Sequence, residues 1–473
     1  MLDSTFLIYW TFIGFVMLAV FRRPSVAVAA FLCTYGLEQW AQSRSTWFFI
    51  NSSLTNMATG GLLVWALMMR VVKGQGIVQG GVPPVAILIG ALFGWVVLSV
   101  LWSPVPATSA ANIKEQFPYL VAAIVLMPLI VRDFADARAG LLMTVFLGMV
   151  ILLLLLTTTN WTGREITFAG VGGTVKDERG NPLAIASLGG WIALIALLFN
   201  FKGLSTPMTI IRYAVVVLGL LIAIRSNSRG QVFALVTAGL LFLPLSRQLK
   251  NAKQLVVVGA GVALVLGITF LLFQSQGLTE SERWSTEQMV ETYGDSRLGP
   301  AGMLLEAWWA EGPAAWIIGL GSSASFSGEI VGFYPHLVLL EVLGELGFIG
   351  FTLLVSLTAV TFYNAYRIAK VSEDPQLRGV AAALAALFMF EVILSFKQGS
   401  LLGTPMAFGF AMLIGRLWQT IKTDPVSSLA SLERPMLAQA PAMLPGAFTP
   451  GAMTKKPTSS WLDNAETASP AGL

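Results

Sequence analysis

The sequence predicts an all-α, polytopic integral membrane protein with about 12–13 transmembrane helices and one long loop before the helix that carries its only histidine. Of the 473 residues, 55% are hydrophobic and only 11% are charged. The mean hydropathy is +0.74, and the apolar residues fall in long unbroken blocks. A soluble protein carries roughly 25% charged residues. The composition therefore excludes a soluble enzyme, a disordered protein and, with Cys33 as the only cysteine, a secreted disulfide scaffold.

About thirteen blocks are long enough to cross roughly 30 Å of hydrocarbon, which takes about 17–25 mostly apolar residues. In chain order they are 6–21, 25–40, 54–71, 84–102, 117–132, 140–158, 182–200, 209–225, 229–246, 254–274, 337–361, 378–395 and 402–419. We expect all of them to be helical, because a helix satisfies its own backbone polar groups. The second and fifth blocks are marginal, so we expect one of them not to span fully. No basic residue precedes the first block, which predicts a retained helix rather than a cleaved signal peptide.

Basic and acidic residues are distributed asymmetrically between the predicted loops. If the acidic loop 275–336 lies outside, nineteen of the 29 Lys and Arg residues fall inside and seventeen of the 25 Asp and Glu residues fall outside. The positive-inside rule then places the long loop outside the cytoplasm and the C-terminus inside. We therefore divide the chain into a membrane domain, 1–420, and a disordered cytoplasmic tail, 421–473, which is rich in Pro, Ala, Ser and Thr.

Basic residues on the outside are exceptions to this bias and indicate a binding role. They concentrate in three loops, as Arg164, Lys176 and Arg179, as Arg225 and Arg229, and as Arg283 and Arg297. The turn Arg225-Ser226-Asn227-Ser228-Arg229 sets three polar side chains between two guanidinium groups. Such a turn suits a phosphate or diphosphate. The alternative is that the two arginines only reach lipid headgroups, and Arg297 is equally well explained as a solvated loop residue.

The single histidine follows a proline at the start of block 337–361. Pro335 suits the first position of a helix, so we expect His336 in the first helical turn. The positive end of the helix dipole disfavours imidazolium there, which leaves a neutral base for a hydroxyl proton. The alternative is a histidine merely tolerated at a helix end. Glu341 and Glu345 share one helical face, where they either orient an arginine or face solvent.

The long loop contains two further features. Residues 303–309, Met-Leu-Leu-Glu-Ala-Trp-Trp, have the apolar spacing of an interfacial helix, and Gly319-Leu320-Gly321 predicts a turn. The chain has no Cys/His cluster and no DxD pair. We therefore expect no metal site, with arginines in place of a metal ion.

Four motifs occur in a fixed order, Ser228-Arg229-Gly230, Ser296-Arg297, Gly319-Leu320-Gly321 and Pro335-His336, followed by Leu340-Glu341 and Glu345-Leu346-Gly347. This order resembles the O-antigen ligase and polymerase superfamily of bacterial envelope proteins over about residues 230–350. Leu337 departs from the family pattern, because many relatives have a small polar residue after the histidine.

The resemblance implies an enzyme of the bacterial inner membrane with its active site facing the periplasm. It implies a glycan donor linked to undecaprenyl diphosphate and an acceptor hydroxyl on lipid A–core, a glycan or a protein. We expect His336, Arg229 and Arg297 to be catalytic. Substrate binding is expected of Arg225, Ser228, Arg164, Arg179 and Glu341. Cationic groups stabilise a leaving diphosphate without a metal ion, and we expect no cofactor.

Four functions remain open at this point. A glycan ligase comes first, followed by a repeat-unit polymerase of the same superfamily, an O-linked protein oligosaccharyltransferase and a small-anion transporter. A transporter places ionisable residues at mid-membrane, whereas the centres of nearly all blocks here are uncharged. The expected partners are the lipid-linked donor, its acceptor and membrane lipids, with no nucleic acid.

Overall fold

The computed structural model describes residues 4–76, 81–162, 165–168, 180–199, 206–247, 298–371 and 374–423, together with isolated residues between 256 and 271. The helices are α1 (Ser4–Arg22), α2 (Val26–Leu32), α3 (Thr34–Arg44), α4 (Thr46–Ile50), α5 (Ser53–Val72), α6 (Pro84–Ser99), α7 (Pro106–Leu120), α8 (Met127–Ile130), α9 (Phe134–Thr158), α10 (Pro182–Leu198), α11 (Thr206–Arg225), α12 (Arg229–Arg247), α13 (Gly299–Glu311), α14 (Pro313–Ile318), α15 (Val338–Val371), α16 (Pro375–Ser395) and α17 (Pro405–Thr423). Short 3₁₀ turns occupy Val100–Trp102 and Ala324–Phe326, and a π-helical turn occupies Val121–Leu126. Two antiparallel strands, β1 (Trp161–Thr162) and β2 (Glu165–Ile166), pair Trp161 with Ile166. The predicted all-α fold class is confirmed.

Nine helical stretches in the described part of the chain are long and apolar enough to cross a membrane. They are α1, α5, α6 with its 3₁₀ turn, the continuous stretch from α7 to α8, α9, α11, α12, α15 and α16. The chain is therefore a multi-pass membrane protein. Three more predicted blocks form shorter, broken or more polar helices, namely α2 with α3, α10 and α17. The predicted block 254–274 lies largely outside the described residues, as does the tail from residue 424.

The two marginal blocks behave differently. The second is broken at Cys33, where the Thr34 hydroxyl donates to the carbonyl O of Phe31 at 2.8 Å. The fifth belongs to the stretch Pro106–Ile130, which is 25 residues long and begins eleven residues before the predicted start at residue 117. The second block is therefore the interrupted one.

The interior of the bundle is organised around α10, which is buried around almost its whole circumference. It packs against α9, α11, α12 and α16. Glycines allow the closest of these contacts, since a Cβ on Gly189 would lie 2.6 Å from the carbonyl O of Gly219 in α11. A helix that is apolar on all sides belongs in the centre of a membrane bundle.

The bundle has two ends with different chemistry. At the basic end, Arg70 at the close of α5 pairs with Asp136 at the start of α9, and Gly415 of α17 lies against Val85 at the start of α6. At the histidine end, Trp102 after α6 bonds to the segment that leads towards His336 and α15. The candidate site lies at the histidine end.

Candidate functional site

A polar cavity of about 210 Å³ opens at the histidine end. Its wall combines the second half of α7, the segment around the Ala324–Phe326 turn, the start of α15 and the connection between α16 and α17. The polar side chains that line it are Asn112, Glu115, Gln116, Ser322, Ser323, Tyr334, Glu341, Glu345 and Ser400. Carboxylates, amides and hydroxyls of this kind hydrogen-bond a polyhydroxyl ligand.

One wall of the cavity exists because two glycine motifs cross. Leu320 N donates to Gly344 O and Gly321 N donates to Glu345 O, both at 2.9 Å. Gly319 has φ +83°, and a Cβ there would lie 2.1 Å from Glu345 O. Gly347 interrupts α15 with φ +65°. The structure thus brings together the Gly319–Gly321 and Glu345–Gly347 motifs that the sequence separates by 24 residues.

Tryptophans and serines fix this crossing to α6 and α7. The indole N–H groups of Trp95 and Trp102 donate to Leu346 O and Gly319 O at 3.0 and 3.2 Å. Ser103 Oγ donates to Ser322 O at 2.8 Å. The hydroxyl of Ser109 donates to the same carbonyl. These bonds pair Leu346 O at the break in α15 and two carbonyls of the segment that crosses it, which would otherwise lack partners.

Glu345 binds the segment that contains Ser323 and Ser325. Its carboxylate accepts from Ser323 N at 2.7 Å, from Ser325 N at 3.1 Å and from Ser325 Oγ at 2.6 Å. The side chain is only 6% exposed. The alternative that Glu345 faces solvent was therefore wrong, because its buried carboxylate accepts hydrogen bonds from Ser323 and Ser325.

Glu341 lies one helical turn earlier and is the less saturated of the two carboxylates. It is also 6% exposed, so the alternative that it faces solvent was wrong. Its Oε1 accepts from Leu401 N at 3.2 Å. Its Oε2 is buried and has no hydrogen-bond partner among the described residues. Glu341 lines the cavity, and its expected substrate-binding role stays a prediction.

His336 lies before α15 and not in its first turn. The helix begins at Val338, and His336 adopts a left-handed backbone with φ +59°. The expected helical position was therefore wrong, because the chain turns sharply after Pro335. The imidazole packs edge-on against the ring of Tyr334 at 4.3 Å between centroids, and Tyr334 lines the cavity. The structure thus places the histidine beside a cavity residue.

The predicted basic turn connects α11 to α12 at the same end. Arg225 ends α11 and lies 5.3 Å from the ring of Trp161, and Arg229 begins α12. The hydroxyl of Ser226 donates to carbonyls in the last turn of α11, and the hydroxyl of Ser228 donates to Ser226 O within the turn. Asn227 takes a left-handed conformation with φ +49°, which closes the turn tightly. The substrate-binding roles expected of Arg225 and Ser228 and the catalytic role expected of Arg229 stay predictions.

A chain of contacts links the basic turn to the cavity. Gln231 Oε1 accepts from Lys397 Nζ at 3.2 Å, and Gln231 Nε2 donates to Gln398 Oε1 at 2.8 Å. Three residues later Leu401 donates to Glu341. Lys397 also lies against Gly230, where a Cβ would meet its side chain at 2.1 Å. The turn and the cavity therefore share one connecting loop.

Several of these residues were not predicted from the sequence. Lys397 satisfies the same criterion as the arginines that were singled out, since it is a basic residue in a predicted outer loop. Asn112, Glu115 and Gln116 carried a weaker signal, namely polar residues next to an apolar block. Arg164, Arg179 and Arg297, like Lys176 and Arg283, lie outside the described residues.

An apolar groove of about 440 Å³ adjoins the cavity. It runs between α6, the stretch from α7 to α8 and α17, and it shares Val96 and Leu402 with the cavity. Its far end reaches Ala86, Pro128 and Arg416 at the basic end. Among the described residues, no three His, Cys, Asp or Glu side chains are grouped so that they could hold a metal ion.

No protein-family model matches this sequence, and no curated protein matches it significantly.

Proposed function

We propose that the protein is a glycan transferase of the O-antigen ligase type. It moves a glycan from undecaprenyl diphosphate to an acceptor hydroxyl at the periplasmic face of the bacterial inner membrane, in lipopolysaccharide or exopolysaccharide synthesis. The observation that supports this most strongly is the contact between a polar cavity and an apolar groove at the histidine end. A lipid-linked sugar needs both surfaces side by side, because its sugar prefers a polar environment and its lipid chain prefers an apolar one.

The reaction is a single displacement at the anomeric carbon. The acceptor oxygen forms the new bond to that carbon while the bond to the diphosphate oxygen breaks, with inversion. His336 takes the acceptor proton, and Tyr334 orients its imidazole through the edge-on contact. Glu341 Oε2 holds a hydroxyl in the cavity. The basic turn, with Arg297, stabilises the charge that develops on the departing diphosphate.

A repeat-unit polymerase uses the same chemistry on a different acceptor. The resemblance in motif order covers both kinds of enzyme, and the cavity's carboxylates, amides and hydroxyls suit any acceptor sugar. The product distinguishes them: one preassembled chain transferred per acceptor means a ligase, whereas a ladder of growing length means a polymerase.

The test is glycan transfer by the full chain reconstituted into liposomes with a lipid-linked donor and alternative acceptors. We expect His336→Ala and Arg229→Ala each to lower the rate by at least about 100-fold, the usual contribution of a positioned base or charge-stabilising group. Lys114→Ala is the matched control, because Lys114 is an exposed cation at the same end, and it is expected to keep full activity.

Insertion and thermal stability of each variant are measured in parallel, so that loss of fold is separated from loss of chemistry. Full transfer by both site variants would rule out the proposed site. Strong inhibition by EDTA that Mg²⁺ reverses would contradict the replacement of a metal ion by arginines.

A further inference from the structure

A separate cavity of about 340 Å³ lies between α15, α16 and α17. It reaches the first turn of α15, the last two turns of α16 and the first turn of α17, and most of its wall is apolar. A cavity of about 150 Å³ holds one benzene molecule, so this one has room for a ring and a short alkyl chain. None of the described residues that line it has a role in the proposed transfer reaction.

One carboxyl group belongs to this wall, that of Glu391 in α16. Glu391 is 9% exposed, and its Oε1 accepts a hydrogen bond from Trp191 Nε1 of the central helix α10 at 2.8 Å. The indole N–H fixes the carboxyl group but brings no charge, and no ion pair in the described part of the chain includes Glu391. A carboxylate within a transmembrane bundle is favourable only with a compensating cation. This carboxyl group therefore holds either a proton or the cationic group of a ligand.

The other polar groups of the wall are the hydroxyls of Thr358, Ser395 and Thr404. Each hydroxyl donates to a backbone carbonyl three or four residues earlier, at 2.9, 2.6 and 3.0 Å. A hydroxyl whose hydrogen is used in this way still has lone pairs that accept. Ser395 lies one helical turn after Glu391, on the same face of α16. The polar part of the wall therefore complements a ligand that donates hydrogen bonds.

We propose that this cavity binds an apolar primary amine, with its ammonium group against Glu391 and its hydrocarbon part against the apolar wall. An ammonium group brings one positive charge and three N–H donors, which matches a carboxylate near hydroxyl acceptors. A neutral alcohol is a poorer ligand, because it brings no charge to pair with Glu391. A carboxylate ligand is poorer still, because like charges repel. The site does not depend on the proposed function.

The experiment measures the binding of phenylbutylamine to the full chain in a non-ionic detergent, by equilibrium dialysis with the same micelle concentration on both sides. The solution is kept at about pH 7, where a primary amine is protonated. Phenylbutanol and phenylbutyrate, with the same ring and a chain of the same length, are the comparison ligands. We expect the amine to bind at least about tenfold more tightly than the alcohol, the effect of one charged hydrogen bond. Phenylbutyrate is expected to bind least.

Glu391→Gln removes the charge but keeps an acceptor for Trp191 and nearly the same volume, so it is expected to abolish the preference for the amine. Glu306→Gln is the matched control, because it removes an exposed carboxylate in α13, and it is expected to keep the preference. Thermal unfolding without ligand shows whether each variant is folded.

Ala407→Phe keeps the proposal testable if Glu391→Gln fails to fold. Ala407 lines the cavity, so the larger ring fills part of it without changing any charge. We expect this variant to weaken the binding of the amine and of the alcohol by similar factors. Equal binding of amine and alcohol to the parent chain, an unchanged preference in Glu391→Gln, or unchanged amine binding in Ala407→Phe would overturn the proposal.

Discussion

Glu341 and Glu345 lie on one face of α15, yet they take different roles. Glu345 accepts three hydrogen bonds from residues 20 and 22 positions away in sequence. Glu341 accepts one, from a residue 60 positions away, and its other oxygen has no hydrogen-bond partner among the described residues. Helical spacing predicts the shared face. It does not predict which carboxylate is saturated, because the donors come from distant loops.

The crossing at Gly319 leads to a prediction for a single residue. Gly319→Ala places a methyl group against the backbone of Glu345, which has no room to move, in a conformation with φ +83°. Gly312→Ala is the control, because Gly312 has φ +96° but no atom within 4 Å of the new Cβ. We expect Gly312→Ala to lower the free energy of unfolding by about 1 kcal/mol and Gly319→Ala by roughly 1–3 kcal/mol more.

Equilibrium unfolding in mixed micelles measures both values. Equal losses in the two variants would show that the backbone crossing contributes nothing to stability.

At the scale of elements, α7 shows why a boundary was misplaced. The predicted block began at residue 117, whereas the helix begins at Pro106. Asn112, Glu115 and Gln116 interrupt the apolar pattern, and they line the cavity. Hydropathy identifies residues that face lipid or core. Where one face of a helix lines a polar cavity, the apolar pattern is interrupted and hydropathy does not predict that part of the helix. The error therefore coincides with the candidate site.

The start of α9 leads to a prediction about pH. Asp133 caps this helix by accepting from Asp136 N at 2.9 Å. Burial, and then the neighbouring Asp136, raise the pKa of Asp133. The folded state therefore holds the proton more tightly than the unfolded chain, and the stability from this carboxyl falls as pH rises from about 3.9 through the folded pKa.

Asp133→Asn keeps an oxygen for the cap and removes the unfavourable charge. At pH 7 we expect the free energy of unfolding to rise by up to about 1 kcal/mol, with the gain vanishing below about pH 4. Asp133→Ala loses the cap and is expected to be about 1 kcal/mol less stable than Asp133→Asn at every pH. Thermal unfolding from pH 3 to 8 checks this, and an Asp133→Asn variant less stable than the parent at pH 7 would contradict it.

For the whole molecule, the sequence predicted the fold class well and the site in part. Long apolar blocks predict spanning helices because few other structures satisfy backbone groups in lipid. Short motifs predicted the regions that meet at the cavity, including Gly319–Gly321 with Glu345–Gly347. The link through Gln231 and Lys397 was not predicted, because pairing between side chains 166 residues apart leaves no pattern in a single sequence.

The two ends of the bundle give a prediction about orientation. Cys33 is the only cysteine and is 1% exposed, so a Cys33→Ala background gives a surface without thiols. Gly328→Cys places a thiol on the exposed surface of the histidine end, and Gly76→Cys places one beyond α5 at the basic end. We expect a membrane-impermeant maleimide to label Gly328→Cys in spheroplasts and to label Gly76→Cys only after lysis. The reverse pattern would invert the proposed orientation.

Helix α15 is 34 residues long, about 51 Å at 1.5 Å per residue, against a hydrocarbon thickness of about 30 Å. The interruption at Gly347 explains why α15 is longer than the membrane is thick. Residues 348–371 alone extend about 36 Å, which is long enough to cross the membrane. Residues 338–346 then form a separate helical segment that packs within the protein. A hydropathy plot predicts one uninterrupted span here, which would place Glu341 and Glu345 in lipid. Because the helix is interrupted at Gly347, both glutamates are buried in protein instead. Acidic side chains are therefore tolerated within an otherwise apolar stretch of sequence.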